Sequence, residues 1–346
     1  MPERLSATSI SAEGGRPLRG GADCLRGKRN MHYRSFADMS RTIQTKVGKL
    51  PADIDLVVGI PRSGLFPASM ISLLRNIPLA DLDGFIDGRI LSAGRTRRNA
   101  NLDCSIDSFR KVLVVDDSIF SGGSMQEARQ KINAMPFAAN TLFCAIYSDA
   151  ETHQGADIVL ESVPTPRMFQ WNVFHHSLLA QSCIDLDELI LPARDFSTLA
   201  GMPSLDGWTP TCVPTKPVQH LVTSYPTTVR AEVEVYLSRL RIHYDQLWML
   251  DREEDSIEHK ARVYRNAGSI VLLTSRDEAA AEIAREAHGP VLSLQSQVVV
   301  QPTDAGRFLE EVRYRDTRLR TRGNAEMRHR RTRRMRHILR KLRISK

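Results

Sequence analysis

Apolar positions change period along this chain, and the changes mark out its elements. Over 33–50 Phe36, Met39, Ile43 and Val47 recur three or four residues apart, which predicts an amphipathic helix. After it short apolar runs alternate with helical patterns. Strands are expected at 54–60, 111–115, 141–147 and 157–160, with helices at 68–74 and 124–134. A segment over 169–179 is read as a bridge. A second series follows, with strands at 183–186, 218–222, 247–250 and 270–273 and helices at 229–240, 258–267 and 278–287. Strand–helix alternation predicts an α/β fold, a parallel sheet with helices on both faces, and here it predicts two such units. The stretch 191–217 holds five prolines and reads as an irregular insertion.

The organisation that follows is an extension over 1–30, a first domain over 31–165, a linker helix over 166–182, a second domain over 183–305 and a basic tail over 306–346. The extension is rich in Gly, Arg and Ser and lacks the apolar core of a signal peptide, so disorder is expected there. No apolar run approaches the roughly 18 residues of a membrane span. Cys24, Cys104, Cys144, Cys183 and Cys212 are scattered without a CxxC pair, which fits a reducing cytoplasm. The net charge of +8 is unevenly spread. From Arg313 to Lys346 there are 15 Lys/Arg against Asp316 and Glu326, a local +13 that leaves the rest of the chain at −5. Basicity therefore concerns where the tail docks rather than the site chemistry.

Candidate chemistry gathers at strand ends. Val112 to Val115 form a run suited to a strand buried on both faces. Asp116 and Asp117 close it, and Ser121-Gly122-Gly123-Ser124 open a helix. Ligands of open α/β sheets bind beyond the carboxyl ends of strands. Loop glycines let backbone N–H groups approach a phosphate, and the helix N-terminus favours its charge. Adjacent carboxylates accept hydrogen bonds from vicinal hydroxyls, so the string describes a sugar-phosphate cradle. Upstream, Ile60-Pro61-Arg62-Ser63-Gly64 is a second strand–loop–helix turn. Between the two lies a basic loop over 88–101 that contains Arg95, Arg97 and Arg98.

The string from Val112 to Met125 resembles the signature of type I phosphoribosyltransferases, which bind 5-phosphoribosyl 1-pyrophosphate (PRPP). The resemblance implies that Asp116 and Asp117 bind the ribose 2′- and 3′-hydroxyls and that Ser121, Gly122, Gly123 and Ser124 hold the 5-phosphate. It further implies that Pro61, Arg62, Ser63 and Gly64 receive the pyrophosphate and that Arg95, Arg97 and Arg98 close over it. Mg²⁺ is the implied cofactor, held mainly by the substrate. Purine-salvage members carry a carboxylate where this chain has Phe120, which has no proton to give, so a purine acceptor is not expected.

In the second series, Asp185 and Asp187 stand one residue apart at a strand end, with Thr223 and Lys260 further on. These resemble the first three motifs of haloacid-dehalogenase-type phosphatases. The resemblance implies Asp185 as nucleophile and metal ligand and Asp187 as acid/base. Two positions depart from it: Glu188 replaces a glycine, and Thr274 stands where an acid is expected. The fusion is similar to bacterial two-domain proteins of surface-glycan ribofuranose synthesis. It implies a sugar or lipid-linked glycan acceptor, followed by 5-phosphate removal. The alternatives are a pyrimidine-type nucleobase phosphoribosyltransferase and a non-catalytic PRPP-binding regulator. In the tail, Met335, Ile338, Leu339 and Leu342 form an apolar stripe among basic residues, which suits an anionic membrane surface. Nucleic acid is not expected as a partner, and a homodimer is left open.

Overall fold

The computed structural model describes residues 31–91, 108–135, 140–193, 205, 208–250 and 254–315. The extension, the closing-loop arginines Arg95, Arg97 and Arg98, and the apolar stripe of the tail lie outside the described residues. Both units are α/β, as the alternation predicts.

The described residues open with a short strand, β1 (His32–Arg34), followed by helix α1 (Phe36–Lys46). The helix is shorter than its apolar pattern because Ser35 caps it. Ser35 Oγ accepts from the Asp38 N–H at 3.1 Å, and the Ser35 N–H donates to Asp38 Oδ2 at 2.9 Å. Such a reciprocal cap contributes about 1 kcal/mol. The first unit continues with β2 (Leu56–Gly59), α2 (Leu65–Arg75), β3 (Leu79–Asp81), α3 (Leu82–Ile86), β4 (Lys111–Ser118), α4 (Gly123–Asn133), β5 (Asn140–Ser148) and β6 (Ile158–Ser162). Its sheet is parallel throughout, in the order β3-β2-β4-β5-β6. Strand alternation divides the core: Val57, Leu113 and Val115 pack with Met39 and Ile43 of α1 and Ile71 of α2, while Leu56, Val58, Val112 and Val114 pack with Phe85 of α3 and Met125 of α4. The strand order reverses between β2 and β4, and at such a switch point neighbouring loops part and leave a crevice.

The expected linker helix over 166–182 is not formed. The segment instead holds strand β7 (Arg167–Phe169), which pairs in parallel with β1, and two short 3-10 turns, Val173–His175 and Ser177–Gln181. The reason is a period of two. Met168 packs into the core of the second unit and Phe169 into that of the first, so successive side chains must point opposite ways. Tyr33 on the partner strand, and Met31 just before it, also pack in the second core.

The second unit comprises β8 (Cys183–Asp185), β9 (Val218–Pro226), α5 (Arg230–Arg239), β10 (Tyr244–Leu250), α6 (Ser256–Ala267), β11 (Leu272–Thr274), α7 (Asp277–Ala287), β12 (Val291–Ser293) and β13 (Val298–Val300). The order is β10-β9-β8-β11-β12-β13, parallel except for β13. Here too the order reverses, between β8 and β11. No helix among the described residues is long and apolar enough to cross a membrane.

Candidate functional site

At the first switch point the expected residues converge. Asp116 and Asp117 fall within the last turn of pleat of β4 and are 8% and 5% exposed. Burial, reinforced by the adjacent Asp117 charge, pushes the Asp116 carboxyl up to about 8. At neutral pH burial therefore favours the protonated form of the Asp116 carboxyl.

The loop after β4 is held from two sides. The Ile119 N–H donates to the Tyr147 carbonyl at 2.8 Å. Gly122 has φ +79°, the left-handed conformation that turns the chain into α4. That helix has no acid in its first turn, so its unpaired N–H groups face the loop without a competing carboxylate. His153 buttresses the turn. Its Nδ1 accepts from the Gly155 N–H at 3.0 Å, so the proton sits on Nε2, which donates to the Phe120 carbonyl at 3.0 Å. The Phe120 ring is 68% exposed.

The second loop is seated against the acid pair. The Ile60 N–H donates to the Val115 carbonyl at 2.9 Å, and the Pro61–Arg62 peptide is cis. Gly64 then begins α2 in van der Waals contact with β4. A Cβ there would stand 2.6 Å from the carbonyl oxygens of Ile60 and Val115 and 3.0 Å from Cα of Asp116. Only glycine lets a helix N-terminus come this near the acid pair. Arg62 is exposed at the loop's outer edge and Ser63 half-buried beside it.

Two residues of this site are not evident from sequence. The Trp171 indole donates to Asp117 Oδ2 at 2.6 Å. Arg167 is buried, donating to the Val163 and Ile119 carbonyls at 2.9 and 2.7 Å. Both come from the bridging segment, where no periodicity singles them out.

At the second switch point Asp185, Asp187, Thr223, Lys260 and Thr274 lie together. Asp185 ends the central strand β8 and Asp187 lies two residues beyond it, Thr223 comes from β9, Thr274 from β11 and Lys260 from α6. Lys260 Nζ lies 2.9 Å from Oδ1 and 3.0 Å from Oδ2 of Asp185, and 2.7 Å from Oδ2 of Asp187. Thr274 Oγ1 donates to Asp185 Oδ2 at 2.8 Å, and Thr223 Oγ1 to Asp187 Oδ1 at 2.5 Å. Burial pushes the Asp185 carboxyl up to about 6, against the pull of Lys260. Burial opposes charge on Asp187 too, yet Lys260 and hydrogen bonds from Ser224 and Thr223 hold it below the usual carboxylate range. Burial likewise opposes the Lys260 charge, but the two carboxylates outweigh it and raise the ammonium above the usual lysine range.

This donor set does not fit the metal expected at Asp185. Both its oxygens are taken by Lys260 and Thr274, and a hydroxyl stands where a further acid ligand is needed. Among the described residues no group of three His, Cys, Asp or Glu could hold a metal ion. Glu188 adopts φ +60° and pairs with Arg276 at 3.4 Å.

No protein-family model matches the chain, and no curated protein matches it. Among solved structures it is similar to the Helicobacter pylori xanthine-guanine-hypoxanthine phosphoribosyltransferase, at 16% identity over 42% of this chain and 94% of that one, with a TM-score of 0.30. It is similar to the purine phosphoribosyltransferase of Pyrococcus horikoshii at 18% identity over 41% and 93%, again with a TM-score of 0.30. The adenine phosphoribosyltransferase of Trypanosoma brucei, solved with AMP, pyrophosphate and ribose-5-phosphate, aligns at 18% identity over 36% and 64%, with a TM-score of 0.23.

Proposed function

We propose that the first unit is a PRPP-dependent phosphoribosyltransferase. The observation that carries this reading is the contact of Gly64 with Val115 and Asp116, which sets two helix-opening loops on either side of one buried acid pair. A ligand with a phosphate at each end and a diol between them suits this arrangement. The loop from Ser121 to Ser124 takes the 5-phosphate on backbone N–H groups and the start of α4. The loop from Pro61 to Gly64 takes the pyrophosphate, with Arg62 supplying fixed charge. Asp117 accepts from a ribose hydroxyl, while Asp116, protonated near neutrality, both donates and accepts. In this reading the acid pair lies beside the sugar ring where positive charge develops at C1 during loss of pyrophosphate. Asp117 would help the substrate to hold Mg²⁺, and the ion would supply charge neutralisation to the pyrophosphate. Arg95, Arg97 and Arg98 belong to the loop assigned to closure.

The acceptor in this reading is a sugar hydroxyl, as in the glycan ribosylation that the fused arrangement implies. Its support is the fused arrangement together with Phe120, which offers no side-chain proton to a purine and leaves the pyrimidine alternative to the test below. The second unit is assigned no phosphatase step, because Lys260 and Thr274 occupy the oxygens a metal would need. Peripheral attachment of the tail to the cytoplasmic face of a membrane belongs to the same reading.

The test is the double variant Asp116→Asn/Asp117→Asn, assayed by calorimetry with PRPP and by pyrophosphate release with sugar and pyrimidine acceptors. Loss of binding and release in a folded protein is expected, and unchanged PRPP affinity overturns the assignment. Turnover with a pyrimidine alone replaces the sugar acceptor with the nucleobase alternative. Binding without turnover on any acceptor favours a regulator.

A further inference from the structure

We infer that Trp171 is the positioning residue of the acid pair: its indole N–H fixes the rotation of the Asp117 carboxylate so that one oxygen is presented to a ribose hydroxyl. The inference rests on the ribose reading of the pair given above.

The geometry has three parts. First, the indole Nε1 donates to Asp117 Oδ2 at 2.6 Å, and Ser118 Oγ donates to the same oxygen at 3.1 Å. With both donors on Oδ2 the carboxylate cannot turn freely about its terminal bond, and Oδ1 is the oxygen offered to a ligand. Second, the indole is itself immobilised. It stacks on Phe169 at 4.9 Å between centroids and 7° between planes, and continues the stack to Tyr147 at 6.2 Å and 18°. Phe36 closes its other side at 5.5 Å. Third, the backbone that carries it is tied. The Gln170 N–H donates to the Arg34 carbonyl at 3.0 Å, Gln170 Oε1 accepts from the Phe36 N–H at 2.8 Å, and the Asn172 N–H donates to the Phe169 carbonyl at 3.0 Å. A rigid donor lowers the rotational freedom that a carboxylate otherwise loses when it binds a diol, which is the source of affinity in preorganised sites.

Trp171 does not touch the sugar in this account and acts only through Asp117. Its loss must therefore be felt by ligands that carry the ribose hydroxyls and not by ligands that lack them. The experiment compares ribose 5-phosphate with 2,3-dideoxyribose 5-phosphate by calorimetry, using the full-length protein and Trp171→Phe. Phenylalanine keeps an aromatic ring against Phe169 but has no N–H. A second replacement of Trp171, by β-(3-benzothienyl)alanine, exchanges N–H for S in a ring of the same shape and serves if the first variant unfolds. The wild type should prefer the ribose ligand by about ten-fold or more, the scale of a hydrogen bond to a charged group. Removing the N–H should bring that preference towards one and leave the dideoxy affinity unchanged within about two-fold.

Equal losses for both ligands, or an undiminished preference, overturn the positioning role while leaving the ribose reading in place. A wild type that does not distinguish the two ligands overturns the ribose reading itself, and this inference with it.

Discussion

Nζ of Lys260 stands 2.7 Å from Oδ2 of Asp187, and both side chains are almost wholly out of water. With Asp185 on the same ammonium, the second unit carries an ion cluster in its interior. Such a cluster is costly to disrupt from one side, because whichever charge remains has neither water nor a partner.

Lys260→Met should therefore destabilise the second unit by about 3–5 kcal/mol. Combining it with Asp185→Asn and Asp187→Asn should recover most of that loss, since no bare charge is left behind. Urea unfolding followed by the fluorescence of Trp208 and Trp248 checks both statements.

Magnesium should leave the second unit indifferent. With PRPP absent, millimolar Mg²⁺ is expected to move the thermal midpoint by less than about 1 °C, because a ligand stabilises only in proportion to its binding. Phosphate release from a 5-phosphoribosylated product should be no greater in the wild type than in Asp185→Asn. Metal-dependent release that Asp185→Asn abolishes would show that Lys260 gives way to an ion.

Gly64→Ala tests the joint between the two loops. The added methyl meets two backbone oxygens at 2.6 Å, and backbone cannot swing aside as a side chain can. Overpacking of this kind costs about 1–3 kcal/mol. The displaced helix start should also weaken PRPP binding by roughly ten-fold, since a shift of well under 1 Å degrades a positioned site. Calorimetry and thermal melts separate the two effects.

Stability should fall with rising pH through the acid pair. Asp116 keeps its proton to about pH 8 in the folded protein, whereas in the unfolded chain it loses it near the ordinary value of 3.8. Between those limits the folded state binds more protons, so the contribution is fully present below about pH 4 and is lost as pH climbs through 8. Asp116→Asn removes the titration. Its unfolding free energy relative to wild type should rise between pH 5 and pH 8.5, and chemical denaturation across that range reads the slope.

Much of both sites can be read in one dimension because their chemistry sits where an apolar run stops. Val112 to Val115 ends in two carboxylates, and a Ser/Gly turn follows at once. The same logic places Asp185 and Asp187, and Lys260 comes to them from a helix whose pattern is plain. Trp171 is different. Phe169 and Trp171, two apart, both face the first core while Met168 faces the second, a period of two over too few residues to stand out in the sequence. The partner of Trp171 lies 54 positions away and is specified only once the sheet exists. Tyr33 misleads for a related reason: it reads as the start of a helix but packs in the farther unit, where its hydroxyl meets Gln297.

The pairing of β1 with β7 also has a bearing on how the chain is made. Tyr33 is synthesised 264 residues before Gln297. At about 5–20 residues per second that interval lasts tens of seconds. During it the five-stranded sheet can close as soon as 158–162 has left the ribosome, while Met31 and Tyr33 wait in water for a core that has not yet been translated. β1 can thus pair with β7 once 169 has emerged, but its side chains on the second-unit face lock only much later. A chain released after the first unit carries that unfinished edge permanently, and should be cleared or aggregate faster than the full-length protein.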